Sequence, residues 1–168
     1  MDYLWTPWRY RYVTQSGERR ECIFCGAAAD TAHDRERLVV YRSRHNLVML
    51  NRYPYTSGHV MIVPHAHVAT LQSLEDDTLF ELVRLARLTE KHLRAVYHPD
   101  GLNLGLNLGR SAGAGIADHI HLHALPRWTG DTSFMSTIGE TRVLPEDLEV
   151  TWDRLRRAYE EEPLERRA

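Results

Sequence analysis

The chain has 168 residues, enough for one domain with its own core and too few for two comfortable ones. Apolar residues make up 43% and charged residues 26%, a balance that excludes wholesale disorder. With 21 Lys plus Arg against 23 Asp plus Glu the formal charge is -2, which excludes a protein that wraps nucleic acid through a strong basic excess but not one that holds a small phosphorylated ligand.

The opening, Met1 to Trp8, has neither a basic n-region nor an apolar h-region and reads as no secretory signal. No window approaches the roughly 18 apolar residues that span a bilayer. The expectation is a cytoplasmic protein with no membrane and no nucleic-acid partner. Trp8-Arg9-Tyr10-Arg11-Tyr12 interleaves bases and aromatics. A single-strand nucleic-acid platform is one reading of it; an arm packed on the domain or across a subunit interface suits one short patch better. Cys22 and Cys25 are the only cysteines, and two intervening residues suit a metal clip or a redox pair more than a structural staple.

Strand-like patterning begins at Leu38-Val39-Val40-Tyr41 and continues in Asn46 to Leu50. The turn Tyr53 to Gly58 interrupts it, and His59 to Val63 resumes it until Pro64. Ser73 and Asp76 resemble a capping box for a long helix over 75–97, with Leu79, Leu82, Val83, Ala86, Leu93 and Val96 on the buried face. Pro99-Asp100-Gly101 stops it. Leu102 to Leu108 alternates strictly, with four leucines on one face and Asn103, Gly105 and Asn107 on the other. A Gly/Ala/Ser loop over 109–117 leads to a last strand, Asp118 to Leu125. Pro145 is expected as the first residue of a terminal helix that buries Leu148, Trp152, Leu155 and Tyr159. The class is α+β, a single domain over 1–168: an arm over 1–37 with the cysteine clip, a core over 38–145, and a helix and tail over 146–168.

The chemistry concentrates in His119-Ile120-His121-Leu122-His123. On a strand the three imidazoles share one face while Ile120, Leu122 and Ala124 face the core. Imidazole is the side chain that can be a neutral nucleophile, a metal ligand or a proton carrier near physiological pH. Beside it, Gly109-Arg110-Ser111-Ala112-Gly113-Ala114-Gly115 suits an anion held by backbone N–H groups, Arg110 and Ser111. Asn103 and Asn107 line the same pocket if their strand neighbours the histidine strand. Cys22 and Cys25 with two imidazoles would close a tetrahedral zinc site, with His65, His67 and His119 as plausible partners and His59 and His33 less so. A Cys-x-x-Cys oxidoreductase is the rival reading of the pair.

On these residues the chain resembles the histidine triad (HIT) superfamily. The resemblance is carried by His119-Ile-His121-Leu-His123-Ala-Leu-Pro-Arg127, by Asn107-Leu-Gly109-Arg-Ser-Ala-Gly113, by Leu50-Asn51-Arg52-Tyr53-Pro54 and by Gly58-His59-Val-Met-Ile-Val-Pro64. Leu4-Trp5-Thr6-Pro7-Trp8-Arg9 with Cys22-Ile-Phe-Cys25 is similar to the bacterial zinc-containing branch that includes diadenosine tetraphosphate phosphorylases and hydrolases. The resemblance implies a five-stranded antiparallel sheet with one long helix, a C-terminal helix and a homodimer. It implies His121 as the nucleophile that forms a nucleotidyl-histidine intermediate, with His123 by the phosphates and His119 completing the catalytic triad. It implies Asn51 at the ribose, Asn107 toward the phosphate, His59, Arg110, Ser111, Gly113 and Gly115 in the nucleotide site, and structural zinc on Cys22, Cys25, His67 and His119. The polar pair that many relatives carry before the triad is replaced by Gly115 and Ile116, which leaves open whether water or phosphate is the second nucleophile. A non-catalytic nucleotide-binding or regulatory module, or a hydrolase of nucleoside phosphoramidates or adenylates, is the alternative.

Overall fold

The computed structural model describes residues 21–132 and 146–165. The aromatic-basic opening over 1–20 and Pro145 lie outside the described residues. In chain order the elements are helix α1 (Ile23–Ala29), strands β1 (Val39–Arg42), β2 (Asn46–Leu50) and β3 (Val60–Pro64), helix α2 (Asp76–Tyr97), strand β4 (Gly101–Leu106), strand β5 (Leu122–Arg127) and helix α3 (Leu148–Glu161). The strands form one antiparallel sheet in the order β1-β2-β3-β5-β4.

Every residue of β2 and β3 is buried, because the sheet is covered on both faces. Alternate residues serve different cores, as the pleat demands. Val40, Val48, Leu50, Val60, Ile62, Leu122 and Ala124 pack with Leu82, Leu85 and Leu93 of α2 and Leu155 and Tyr159 of α3. Val39, Leu47, Met49, Met61 and Val63 pack on the opposite face against Phe24 and Ala27 of α1. His123 stands opposite Met61 in the β3–β5 register, so it shares the α1 face of the sheet. That face carries the candidate site.

Several expected details differ. No capping box opens α2: Ser73 hydrogen-bonds Thr70 through its hydroxyl (2.8 Å), and Glu75 precedes the first helical residue without a side-chain cap. The buried stripe runs Thr78, Leu82, Leu85, Thr89, His92 and Leu93, whereas Val83 is 59% exposed. Threonine and histidine fit in the stripe because they are paired there: Thr89 bonds the Tyr159 hydroxyl (2.6 Å), and His92 Nε2 donates to the Glu162 carbonyl (3.0 Å). The terminal helix starts at Leu148, three residues beyond Pro145, with Asp147 at its N-cap. Its buried face is the expected one, with Leu155 and Tyr159 fully covered.

Gly58 holds the turn before β3 at φ +79°. A Cβ there would meet Tyr97 Cε2 at 2.8 Å and Pro126 at 3.1 Å. Gly58→Ala therefore combines a left-handed backbone with a steric clash. The expected loss is at least about 2 kcal/mol, of which roughly 1–2 comes from the left-handed conformation alone; urea unfolding at unchanged m-value measures it.

Candidate functional site

Strand β5 begins at Leu122, not at Asp118, so His119 and His121 lie in the extended approach to the strand. The reason is local. The chain enters from a Gly/Ala-rich loop, and Ile120 N–H goes to the Val68 carbonyl (2.7 Å) instead of a ladder partner. The expected alternation survives: Ile120, Leu122 and Ala124 are buried in the hydrophobic interior.

The three triad rings divide into two groups. His121 and His123 lie with ring centroids 4.8 Å apart, edge to face. His119 turns instead toward His67 (5.0 Å) and the two cysteines. Phe24 of α1 touches both groups, 5.3 Å from the His119 ring and 4.9 Å from that of His121.

Hydrogen bonds fix which nitrogen carries each proton. His121 Nδ1 lies 2.9 Å from the His119 carbonyl, an acceptor only, so Nδ1–H donates and the lone pair sits on Nε2. His59 Nδ1 accepts the Tyr55 N–H (3.1 Å), which puts the His59 proton on Nε2. That Nε2–H donates to His123 Nδ1 at 3.0 Å, so His123 carries its own proton on Nε2. Asn51 joins the chain through Nδ2, which donates to His59 Nδ1 (3.4 Å), while its Oδ1 accepts the Tyr53 N–H (3.0 Å). A nucleophilic nitrogen and an N–H donor thus stand on adjacent rings. His59 orients the donor ring, His123, a role that its sequence position before an apolar strand did not disclose.

Burial disfavours the cationic form of both rings. It lowers the His121 pKa, and with the nearby His121 it takes that of His123 down to about 4. The unfolded chain accepts a proton on His123 near its ordinary value of 6.5, whereas the fold refuses it until about 4. Stability should therefore fall as pH drops through that window, because the unfolded state binds more protons there. A pH series of denaturant midpoints that stays flat between these values would contradict it.

Strand β4 does neighbour the histidine strand, with Gly105 opposite His123 and Leu106 opposite Leu122. Nothing meets a Cβ at Gly105 within 4 Å, so space remains beside His123. Asn103 Oδ1 accepts from Arg127 (2.8 Å), which also grips Asp131. Asn107 is half-buried just past the strand end. The loop folds as a short 3₁₀ turn over Arg110–Ala112, bounded by Gly109 (φ +83°) and Gly113 (φ +92°). Arg110, Ser111 and Gly115 are exposed, and Ile116 packs into the α1-side cluster.

The second group is a set of metal donors. Cys22, Cys25, His67 and His119 each offer one ligand atom, and these atoms lie within 4.8 Å of one another. Cys22 Sγ lies 3.3 Å from His119 Nδ1, and Cys25 Sγ lies 3.2 Å from His67 Nδ1. His119 Nε2–H donates to the Pro64 carbonyl (2.9 Å), which leaves Nδ1 unprotonated toward the thiols. A ligating histidine is normally held in this way, by a carbonyl behind it. Two thiolates and two neutral imidazoles are a structural zinc donor set, and these residues fit it. His65 and His33 do not converge on this cluster of donor atoms; His65 Nε2 donates to the Ser43 carbonyl (3.1 Å), and His33 pairs with Asp30 (2.7 Å). The cysteine pair does open a helix, with Cys22 at its N-cap, and two histidines converge on it as further metal donors.

No helix among the described residues is long and apolar enough to cross a membrane. Comparison with known proteins agrees with the geometry. The chain is 37% identical over 157 residues to the AP-4-A phosphorylase of Mycobacterium tuberculosis, covering 90% of this chain and 80% of that protein. A crystal structure of a Zn-bound histidine triad family protein from Mycobacterium smegmatis superposes with a TM-score of 0.67 at 29% identity, covering 84% of this chain and 94% of that one. A hypothetical histidine triad nucleotide-binding protein from Sulfolobus tokodaii gives 0.66 at 29% identity, covering 83% and 93%. The HIT domain model matches residues 33–130, more than half the chain and the whole of the sheet just described, and the chain belongs to the HIT family.

Proposed function

We propose that this chain cleaves dinucleoside polyphosphates of the diadenosine tetraphosphate kind through a nucleotidyl-histidine intermediate on His121. The observation that carries the reading is the tautomer of His121: Nδ1–H is held by the His119 carbonyl at 2.9 Å, which presents the Nε2 lone pair beside the His123 ring. The name of the M. tuberculosis relative supports the substrate class.

In the first step His121 Nε2 attacks the α-phosphorus, the P–N bond forms, and the bond to the leaving polyphosphate oxygen breaks with its electron pair. The ring becomes cationic as the adduct forms, and the His119 carbonyl on Nδ1–H stabilises that charge. His123 donates its Nε2–H to a phosphoryl oxygen. Backbone N–H groups of the 109–115 loop, with Arg110 and Ser111, hold the remaining phosphate charge, and Asn51 takes the ribose with His59 behind it. Asn107 reaches the phosphate from the end of β4. In the second step water or inorganic phosphate attacks the adduct and frees Nε2. Cys22, Cys25, His67 and His119 would hold a zinc ion that would supply structural cross-linking between α1 and the histidine segment and no chemistry. Leu104 of edge strand β4 and Leu108 just beyond its end are about half exposed, which supports association with a second copy.

Incubation with diadenosine tetraphosphate, with and without phosphate, tests the reading. ATP plus ADP formed only with phosphate means a phosphorylase; cleavage without phosphate means a hydrolase. Absence of product with binding intact would overturn the catalytic reading in favour of a binding module. That alternative has one observation behind it: neither Gly115 nor Ile116 carries a proton for the leaving group.

A further inference from the structure

We propose that Cys22 and Cys25 form an oxidation site, at which a peroxide converts the two thiolates to a disulfide, expels the metal and releases the anchor of the His121 ring. The proposal rests on the metal assignment above, and only its consequence for turnover rests on His121 as nucleophile.

The donor cluster has an open side and a sealed side. Cys25 lines a depression of about 510 Å³ together with Arg42, Ser43 and His65. Cys22 and Cys25 are both half-buried and His67 is exposed, whereas His119 is fully buried. A small neutral oxidant therefore reaches the sulfur ligands and not the inner imidazole. Oxidation follows thiolate character and access, and metal coordination keeps these sulfurs as thiolates.

The pair can also close. Cys22 precedes α1 and Cys25 lies in its first turn. Residues three apart on a helical turn bring their Cβ atoms to about 5–6 Å, and a disulfide needs about 3.5–4.5 Å. Cys22 lies outside the helix at its extended N-cap, so a change in its backbone dihedrals can close the gap. The Cys25 thiolate attacks one peroxide oxygen, the O–O bond breaks, and hydroxide leaves to take a proton. The Cys22 thiolate then attacks the sulfenic sulfur and displaces a second hydroxide. The two thiolates supply both electrons, and the site loses its two anionic donors.

The consequence converges on His121 by three routes. The His119 ring loses its Nδ1 partners, and the His119 carbonyl is the group that holds His121 Nδ1–H. The His67 loop is released, and the Val68 carbonyl in that loop holds Ile120 N–H (2.7 Å), the residue between the two histidines. Helix α1 is untied, and its Phe24 packs on the rings of both His119 and His121.

The test uses the zinc-loaded full chain and hydrogen peroxide. Intact mass, zinc release to a colorimetric chelator, and the ¹⁵N shifts of the His121 ring are followed in one titration, with turnover of diadenosine tetraphosphate measured beside them. Expected are one zinc released for each disulfide, loss of the fixed Nδ1–H signature of His121, and a fall in turnover of roughly tenfold or more. A dithiol plus zinc should reverse all of them. Removal of zinc by a chelator under argon, with the thiols kept reduced, should loosen His121 to the same degree. Retention of zinc at peroxide levels that oxidise an exposed thiol would overturn the proposal, and so would a His121 ring unchanged after the metal has gone. Zinc, mass and ¹⁵N readouts stand without turnover, so a chain that proves inactive on the dinucleotide refutes the proposed function and leaves this test intact.

Discussion

His121→Asn should abolish turnover, by on the order of 10⁴-fold or more, as removal of a covalent nucleophile does elsewhere, while nucleotide affinity changes little. The asymmetry follows from the hydrogen bonds. The carboxamide of asparagine can still donate to the His119 carbonyl, so the local backbone and the His59–His123 pair keep their geometry. What it lacks is a basic nitrogen where Nε2 stood, so no adduct can form. Single-turnover quench with acid-labile adduct detection, paired with calorimetry of a non-cleavable analogue, separates the two effects. Undiminished turnover in this variant would end the account of His121 as nucleophile.

The second large effect concerns the metal clip. Cys25→Ser should lose the bound metal, roughly one ion per chain in the parent, and with it about 4 kcal/mol or more of stability, the range that loss of a structural metal reaches. For a chain of this size that corresponds to a fall in Tm of roughly 10 °C. The loss should be local first. Helix α1 has only seven residues, Gly26 within it and no side-chain cap at Cys22, too little to persist unaided. The metal donors and the buried side chains Phe24 and Ala27 hold it to the sheet. Hydrogen exchange should show the segment from Cys22 to Arg37 opening ahead of β2 and β3. Equal protection in the metal-free protein would mean that packing of Phe24 alone suffices.

Much of this was legible in the chain, and the misses have physical causes. The continuous apolar runs of β2 and β3 read as strands because both sheet faces are covered; the same coverage means that alternation could not say which face holds the chemistry. Hydrophobicity alone puts Val83 on the buried face of α2 and gives no sign of Thr78, Thr89 and His92, which the fold covers. Thr89 and His92 tolerate burial because distant partners satisfy them, the Tyr159 hydroxyl and the Glu162 carbonyl respectively. Strand parity puts Asn103 on the polar face but gives no sign of its partner Arg127, which is distant in sequence.

The sequence by itself determined the residue types of the site: three alternating histidines, a glycine-rich loop before them, and two cysteines with metal-clip spacing. Local physics sufficed for that, since strand parity and donor chemistry need no distant contact. The spacing of the residues left His65 and His67 open, and only the resemblance chose His67 and His119; the tertiary structure brings those two to Cys22 and Cys25, turns His119 away from the His121–His123 pair, and has His59 orient His123. Each is a choice between imidazoles of equal intrinsic chemistry. The carbonyls and N–H groups around each ring make that choice, and they are placed by the packing of the whole sheet.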